Sequence, residues 1–242
     1  MISITAILAV LSMPALQGVQ SAGGFDKSVY ALADSLNLAR SYAVANNTYV
    51  YVGLTEVNRM QNPGAIPQVV GSGRVALSIV ATTDGTSDYS SSSSSVWTSA
   101  GSGTGANLTQ VRQVQTFDGF HIASTAFPTA TTGNMARPSN VEPTPALLPA
   151  ASVPVTPFSV PLGSNVTSSS GKYNFNNTNS EIICFNPQGG VLLNGSAVQW
   201  LEIDVQPMLG AAAPATPSNV NKGNQAALIV DGVTGAVNVY RP

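Results

Sequence analysis

Charge is what this chain lacks most. Of its 242 residues, nine are Lys or Arg and eleven are Asp or Glu, 8% in all, where an average soluble domain carries roughly a quarter. Ser, Thr, Asn, Gly and Pro supply the polarity, so the surface is hydrogen-bonding but weakly ionic. That composition fits an extracytoplasmic or assembled protein better than a cytosolic enzyme. The net charge is −2 and the pI about 5.2, so no basic field exists to hold a phosphate backbone, and sequence-independent nucleic-acid binding is disfavoured.

Cysteine and histidine are nearly absent too, with one of each. A lone Cys184 excludes an internal disulfide, and its setting in "EIICFNP" reads as a buried small hydrophobe rather than a reactive thiol. Zinc needs three or four clustered His or Cys ligands, more than the chain contains. Any Ser-His-Asp or Cys-His site would have to use His121, beside "DGF", and no nucleophile-elbow pattern accompanies it. "DGTSD" (84–88) offers oxygen ligands without EF-hand spacing and reads as a polar turn. "GSGRVAL" and "GSGTGAN" lack the Lys and the strand-to-helix setting of a phosphate loop. Glu202 and Asp204 share one strand face and read as solvated. No catalytic, metal-binding or cofactor-binding residue is expected.

What is present begins with an apolar run, "MISITAILAVLSMPAL", and no charge precedes Asp26. As a helix, Met1 to Leu16 would span about 24 Å, short of a hydrocarbon core of roughly 30 Å. Three readings stand. One is a signal peptide, although no Lys or Arg precedes the run and Gln20 would hold the −3 position of a cleavage after Ala22. The second is a buried core helix. The third is a membrane helix whose first turns lie upstream. Pro14 should kink the helix, and Gly23 and Gly24 should loosen its continuation. Phe25, Val29, Leu32, Leu36, Ala39 and Ala43 then recur at helical spacing, predicting an amphipathic helix that runs into a strand.

Period-two alternation predicts strands over Thr48–Glu56, with Val50, Val52 and Leu54 on one face, and over Arg74–Thr82. "LTQVRQVQTFDGFHI" supplies one or two more around Asp118-Gly119, followed by "SEIICFNP" and "VQWLEIDVQP". "QAALIVDGVTGAVNVYRP" reads as two strands joined by a short loop at Asp231 to Gly235. About seven strands therefore follow one helix. Segments 82–107 (Ser/Gly-rich) and 128–165 (Pro-rich) read as loops, the second with apolar residues that would pin it to the sheet or a neighbour.

This order resembles that of type IV pilin-like proteins. "AILAVLSMPALQGVQ" is similar to the second half of the pilin assembly helix, with Pro14 at the kinking proline. "LADSLNLARSYAVANNTYVYVGL" resembles the helix-to-strand passage of type II secretion minor pseudopilin H, with Ala39, Arg40, Ala43 and Asn47 in an "ARxxAxxxN" pattern. "IICFNPQGGVLLNGSAVQWLEIDV" and "IVDGVTGAVNVYRP" are similar to that family's closing strands, endings also shared by verrucomicrobial prepilin-like cassette proteins. The likeness covers residues 1–56 and 181–242. The prepilin processing motif is absent from this sequence, and an in-frame Gly-Phe-(x)3-Glu segment is expected upstream.

The resemblance implies an α+β fold: a long N-terminal helix, apolar then amphipathic, packed on a C-terminal antiparallel domain of about seven strands. The expected segments are 1–22 (membrane and filament-core helix), 23–47 (amphipathic spine) and 48–242 (β-rich domain with long loops at 82–110 and 128–172). The implied function is a structural subunit of a pilus-like or pseudopilus filament, held in the inner membrane before assembly and displayed on the cell surface after it. Its partners would be copies of itself or related subunits, with no nucleic acid, small-molecule substrate or cofactor. Ile4, Ile7, Leu8, Val10, Leu11, Pro14 and Leu16 would make the membrane and bundle contacts. Phe25, Val29, Leu32 and Leu36 would pack on the sheet. Two rivals remain. One is a surface-displayed minor pilin or adhesin presenting Tyr89 and Trp97 from the first loop. The other is a secreted β-protein with its leader removed.

Overall fold

The computed structural model describes residues 2–87, 108–123, 146–148, 173, 180–193, 196–208 and 224–241, with side chains of the first helix described from Gly24 onward. Helix α1 spans Ile2–Asn46. Eleven strands follow among the described residues: β1 (Val50–Asn58), β2 (Gly73–Thr82), β3 (Leu108–Asp118), β4 (Phe120–Ile122), β5 (Ala146–Leu148), β6 (Ser180–Phe185), β7 (Val191–Leu193), β8 (Ser196–Ala197), β9 (Trp200–Pro207), β10 (Ala226–Asp231) and β11 (Val237–Tyr240).

The strands form two sheets. One has the order β3-β2-β1-β6-β7-β8 and is antiparallel throughout. The other runs β11-β10-β9-β4 in antiparallel fashion, and β5 adds to β9 as a parallel neighbour.

The expected fold is corrected on these grounds. The chain is mostly β, with two sheets where one domain of about seven strands was expected, and a long apolar helix laid on a sheet does not describe it. What packs on the strands is the segment of α1 from Phe25 to Ala43. No helix of the described residues is long and apolar enough to cross a membrane, which corrects the transmembrane part of the expectation. Gly23 and Gly24 do not interrupt α1, which is assigned as a single helix.

Alternation explains the core. Val50, Val52 and Leu54 of β1, Val75, Leu77, Ile79 and Ala81 of β2, Leu201, Ile203 and Val205 of β9, and Ala226, Leu228 and Val230 of β10 point into one cluster. The helical stripe Phe25, Val29, Leu32, Leu36, Ala39 and Ala43 enters the same cluster. Each large side chain buried there contributes about 1.5–3 kcal/mol. Phe120 stacks at 5.7 Å from both Phe25 and Phe117, so the short strand β4 is bound to helix and sheet together.

The alternation rule fails on the second face of β9. Glu202 and Asp204, expected in solvent, are fully buried, because this strand is covered on both sides. Strand β1 is likewise buried on both faces until its last residue.

Candidate functional site

The C-terminal half of α1 and one end of the two sheets hold the features that position groups for interaction. On α1, the stripe from Phe25 to Ala43 faces the strands. Tyr30, Leu38 and Val44 face away, exposed by 56%, 38% and 49%. At 100° per residue these three fall within an arc of roughly 120° opposite the buried stripe. Arg241, just after β11, donates to Asp26 at 2.6 Å. Its guanidinium also lies 5.8 Å from the Phe25 ring and 5.6 Å from the Tyr30 ring. The end of the chain is thereby clasped to the helix.

The helix ends at Asn47, whose φ of 48° is left-handed, a conformation asparagine tolerates at this position. Thr48 N returns to Ala43 O at 3.1 Å, and the chain passes directly into β1. Beside this end two glycine turns meet. Gly189 N donates to Asn186 O within the β6–β7 turn, and Gly235 N to Asp231 O within the β10–β11 turn. A Cβ on Gly235 would lie 2.2 Å from Gly189 O and 3.0 Å from Arg40 Cδ. Arg40 of the "ARxxA" pattern therefore lies beside the contact between the turns of "NPQGG" and "DGVTG". Three stretches far apart in sequence form one junction.

At the other end of β1 and β2 lies a buried polar cluster. Glu56 occupies the inward register that Val50, Val52 and Leu54 set, and it is only 5% exposed. Its Oε1 accepts from Gly73 N at 2.6 Å. His121 Nδ1 donates to the same carboxylate, 2.8 Å to Oε1 and 2.9 Å to Oε2. Arg74 is the second centre. Its Nε donates to Asp118, Nη1 to Gln61 O and Gln68 Oε1, and Nη2 to Arg59 O, each of the last three at 3.2 Å. Arg59 Nη1 donates to Met208 O at 2.6 Å. Tyr173 packs beside Arg74 and Asp118. Burial raises its phenol pKa, with the Arg74 charge opposing and the Asp118 charge reinforcing that shift.

These bonds fasten the β1–β2 connection, the β3–β4 corner and the end of β9. The His121 Nδ1 contact among the described residues runs to the Glu56 carboxylate and to no nucleophilic side chain. Among the described residues no group of three or more His, Cys, Asp or Glu could hold a metal ion. Cys184 is buried on β6, and burial pushes its thiol up to about 12, against the hydrogen bond from its cross-strand neighbour Tyr51.

Of the residues singled out from the sequence, Phe25, Val29, Leu32 and Leu36 lie in the core shared by helix and sheets. The side chains of Ile4, Ile7, Leu8, Val10, Leu11, Pro14 and Leu16 fall outside the described residues, as do Tyr89 and Trp97. Glu56, Arg74 and Asp118 were not singled out. For Glu56 a signal existed, because its place in the period-two row of β1 puts a carboxylate where an apolar residue belongs. The Arg74–Asp118 pair follows from the β2–β3 register, which no local pattern encodes.

Comparison of the chain with protein-family models, with curated proteins and with solved structures returns no match.

Proposed function

We propose that the chain is a structural subunit of an extracytoplasmic filament of the pilus or pseudopilus kind, joined to copies of itself or related subunits through α1, with no chemistry of its own. The observation that carries this reading is the two-sided use of the helix. One stripe is consumed by the β body, while Tyr30, Leu38 and Val44 are held in solvent on the other side. The charged groups beside them are few: Lys27 and Asp34 are exposed, and Asp26 is half exposed but paired with Arg241. Packing that face on a neighbour would remove apolar area from water and desolvate few ions.

The test uses the full chain at its native locus. Antibodies to the β body should label filaments sheared from the cell surface, and Leu38→Asp should abolish the labelled filaments while leaving a folded, detectable chain. Recovery of the wild-type chain only as a dissolved monomer, with no filament labelled, would overturn the proposal. The adhesin reading built on Tyr89 and Trp97 concerns residues outside those described and gains no support here.

A further inference from the structure

A polar cavity of about 460 Å³ opens where α1 ends. Tyr42 and Asn47 contribute from the helix end, Thr82, Thr83 and Asp84 from the end of β2, and Thr109 from β3. Its framework is hydrogen-bonded. Thr48 Oγ1 donates to Thr82 O at 2.6 Å and lies 2.8 Å from Thr82 Oγ1, both residues being buried. Thr82 N donates to Tyr49 O at 2.9 Å. Asp84 is oriented by accepting from Thr86 N at 3.0 Å and Thr86 Oγ1 at 2.8 Å. Around this frame the side chains of Asn47, Thr83, Asp84 and Thr109 are exposed.

We propose that this cavity binds a neutral saccharide. Its volume falls within the range of ligand sites, roughly 300–1,000 Å³. The lining decides the class. Among the described residues no Lys, Arg or His lines it, so none of them offsets the charge of a phosphate or carboxylate ligand. Nor do the described lining residues supply the apolar walls that hold a hydrophobic ligand. What it offers is hydroxyls and amides, which both donate and accept, together with the carboxylate of Asp84 and the carbonyl end of a helix, which bears partial negative charge. That set suits a ligand rich in O–H donors. Tyr42 adds an amphipathic ring of the kind that covers a sugar face while its hydroxyl stays wet. Calcium takes six to eight oxygen ligands and commonly several carboxylates, whereas among the described residues this lining has one, Asp84. The inference does not depend on filament assembly.

The experiment is saturation-transfer NMR on the full chain with maltose, cellobiose and lactose as probes, repeated on an Asn47→Gly/Thr83→Val double variant. Glycine keeps the left-handed backbone at position 47, valine is close in shape to threonine, and circular dichroism checks that the variant folds. Transfer to at least one disaccharide is expected, unchanged by EDTA. Affinity in the double variant should fall about tenfold or more, since two hydrogen bonds at roughly 0.5–1.5 kcal/mol each are removed. Three results would overturn the proposal: no transfer to any of the three probes, undiminished binding by the folded double variant, or transfer that EDTA abolishes and calcium restores.

Discussion

Single residues in this protein are tuned mainly by burial. Burial pushes the Cys184 thiol from its ordinary 9.0 up to about 12. The folded state prefers the neutral thiol, so the stabilisation is fully present below pH 9 and drains away as pH rises from 9 to about 12, by ~4 kcal/mol in total. Tyr173, raised by burial from 10.0, acts in the same direction at the upper end of that window. Urea unfolding at a series of pH values from about 8 to about 11 should show falling stability, and Cys184→Ala should flatten the slope. A wild-type profile without slope above pH 9 contradicts the burial argument. The buried character of this thiol is legible in "EIICFNP". The solvated character assigned to Glu202 and Asp204 is wrong, because alternation assumes that one face of a strand stays wet and β9 is covered on both.

Elements meet through close approaches of backbone. Gly232 N donates to Gln199 O at 2.8 Å, and Val191 N donates to Gly232 O at 2.7 Å. One residue thus ties the turn after β10 to the start of β7 in the other sheet and to the residue before β9. A Cβ there would stand 1.7 Å from Val198 O, and the obstacle is backbone, not a mobile side-chain tip. Gly232→Ala should cost about 3 kcal/mol or more and lower Tm by roughly 10 °C. Gly24→Ala is the contrast. A Cβ there would meet no described atom within 4 Å and the site lies inside a helix, so stability should rise by up to about 1 kcal/mol. Thermal melts of the two variants side by side decide the matter. The hairpin turn at Asp231 to Gly235 is readable from its Gly and Asp, and the helical stripe from its spacing. The meeting of that turn with Gly189 and Arg40 is not readable, since nothing local links residues so far apart in the chain.

Across the whole molecule, the two sheets are coupled at one end by Glu56 and His121, which belong to β1 and β4. Both side chains are nearly buried, 7% and 12% exposed. Removing the carboxylate strands Gly73 N as well as the imidazole, so Glu56→Ala should cost about 2–4 kcal/mol. Asp118→Ala should cost about 1 kcal/mol or less, because Asp118 is 57% exposed and Arg74 retains three other acceptors. Equal losses in chemical denaturation would show that the cluster is no tie between sheets. At this scale the sequence discloses least. The strands are visible one by one, while the division into two sheets and the parallel seat of β5 come from pairings that only the assembled chain reveals.

The pairing of β1 with β6 joins Val50 to Phe185 and Thr55 to Ser180. During translation, β1, β2 and β3 therefore leave the ribosome well before the strand that completes them. At 5–20 residues per second the delay is on the order of 10 s. Through that interval one side of β1 offers unsatisfied amides and carbonyls to any passing strand. The nascent chain is then most open to mispairing, and to protection by a holding chaperone, long before it has its final shape.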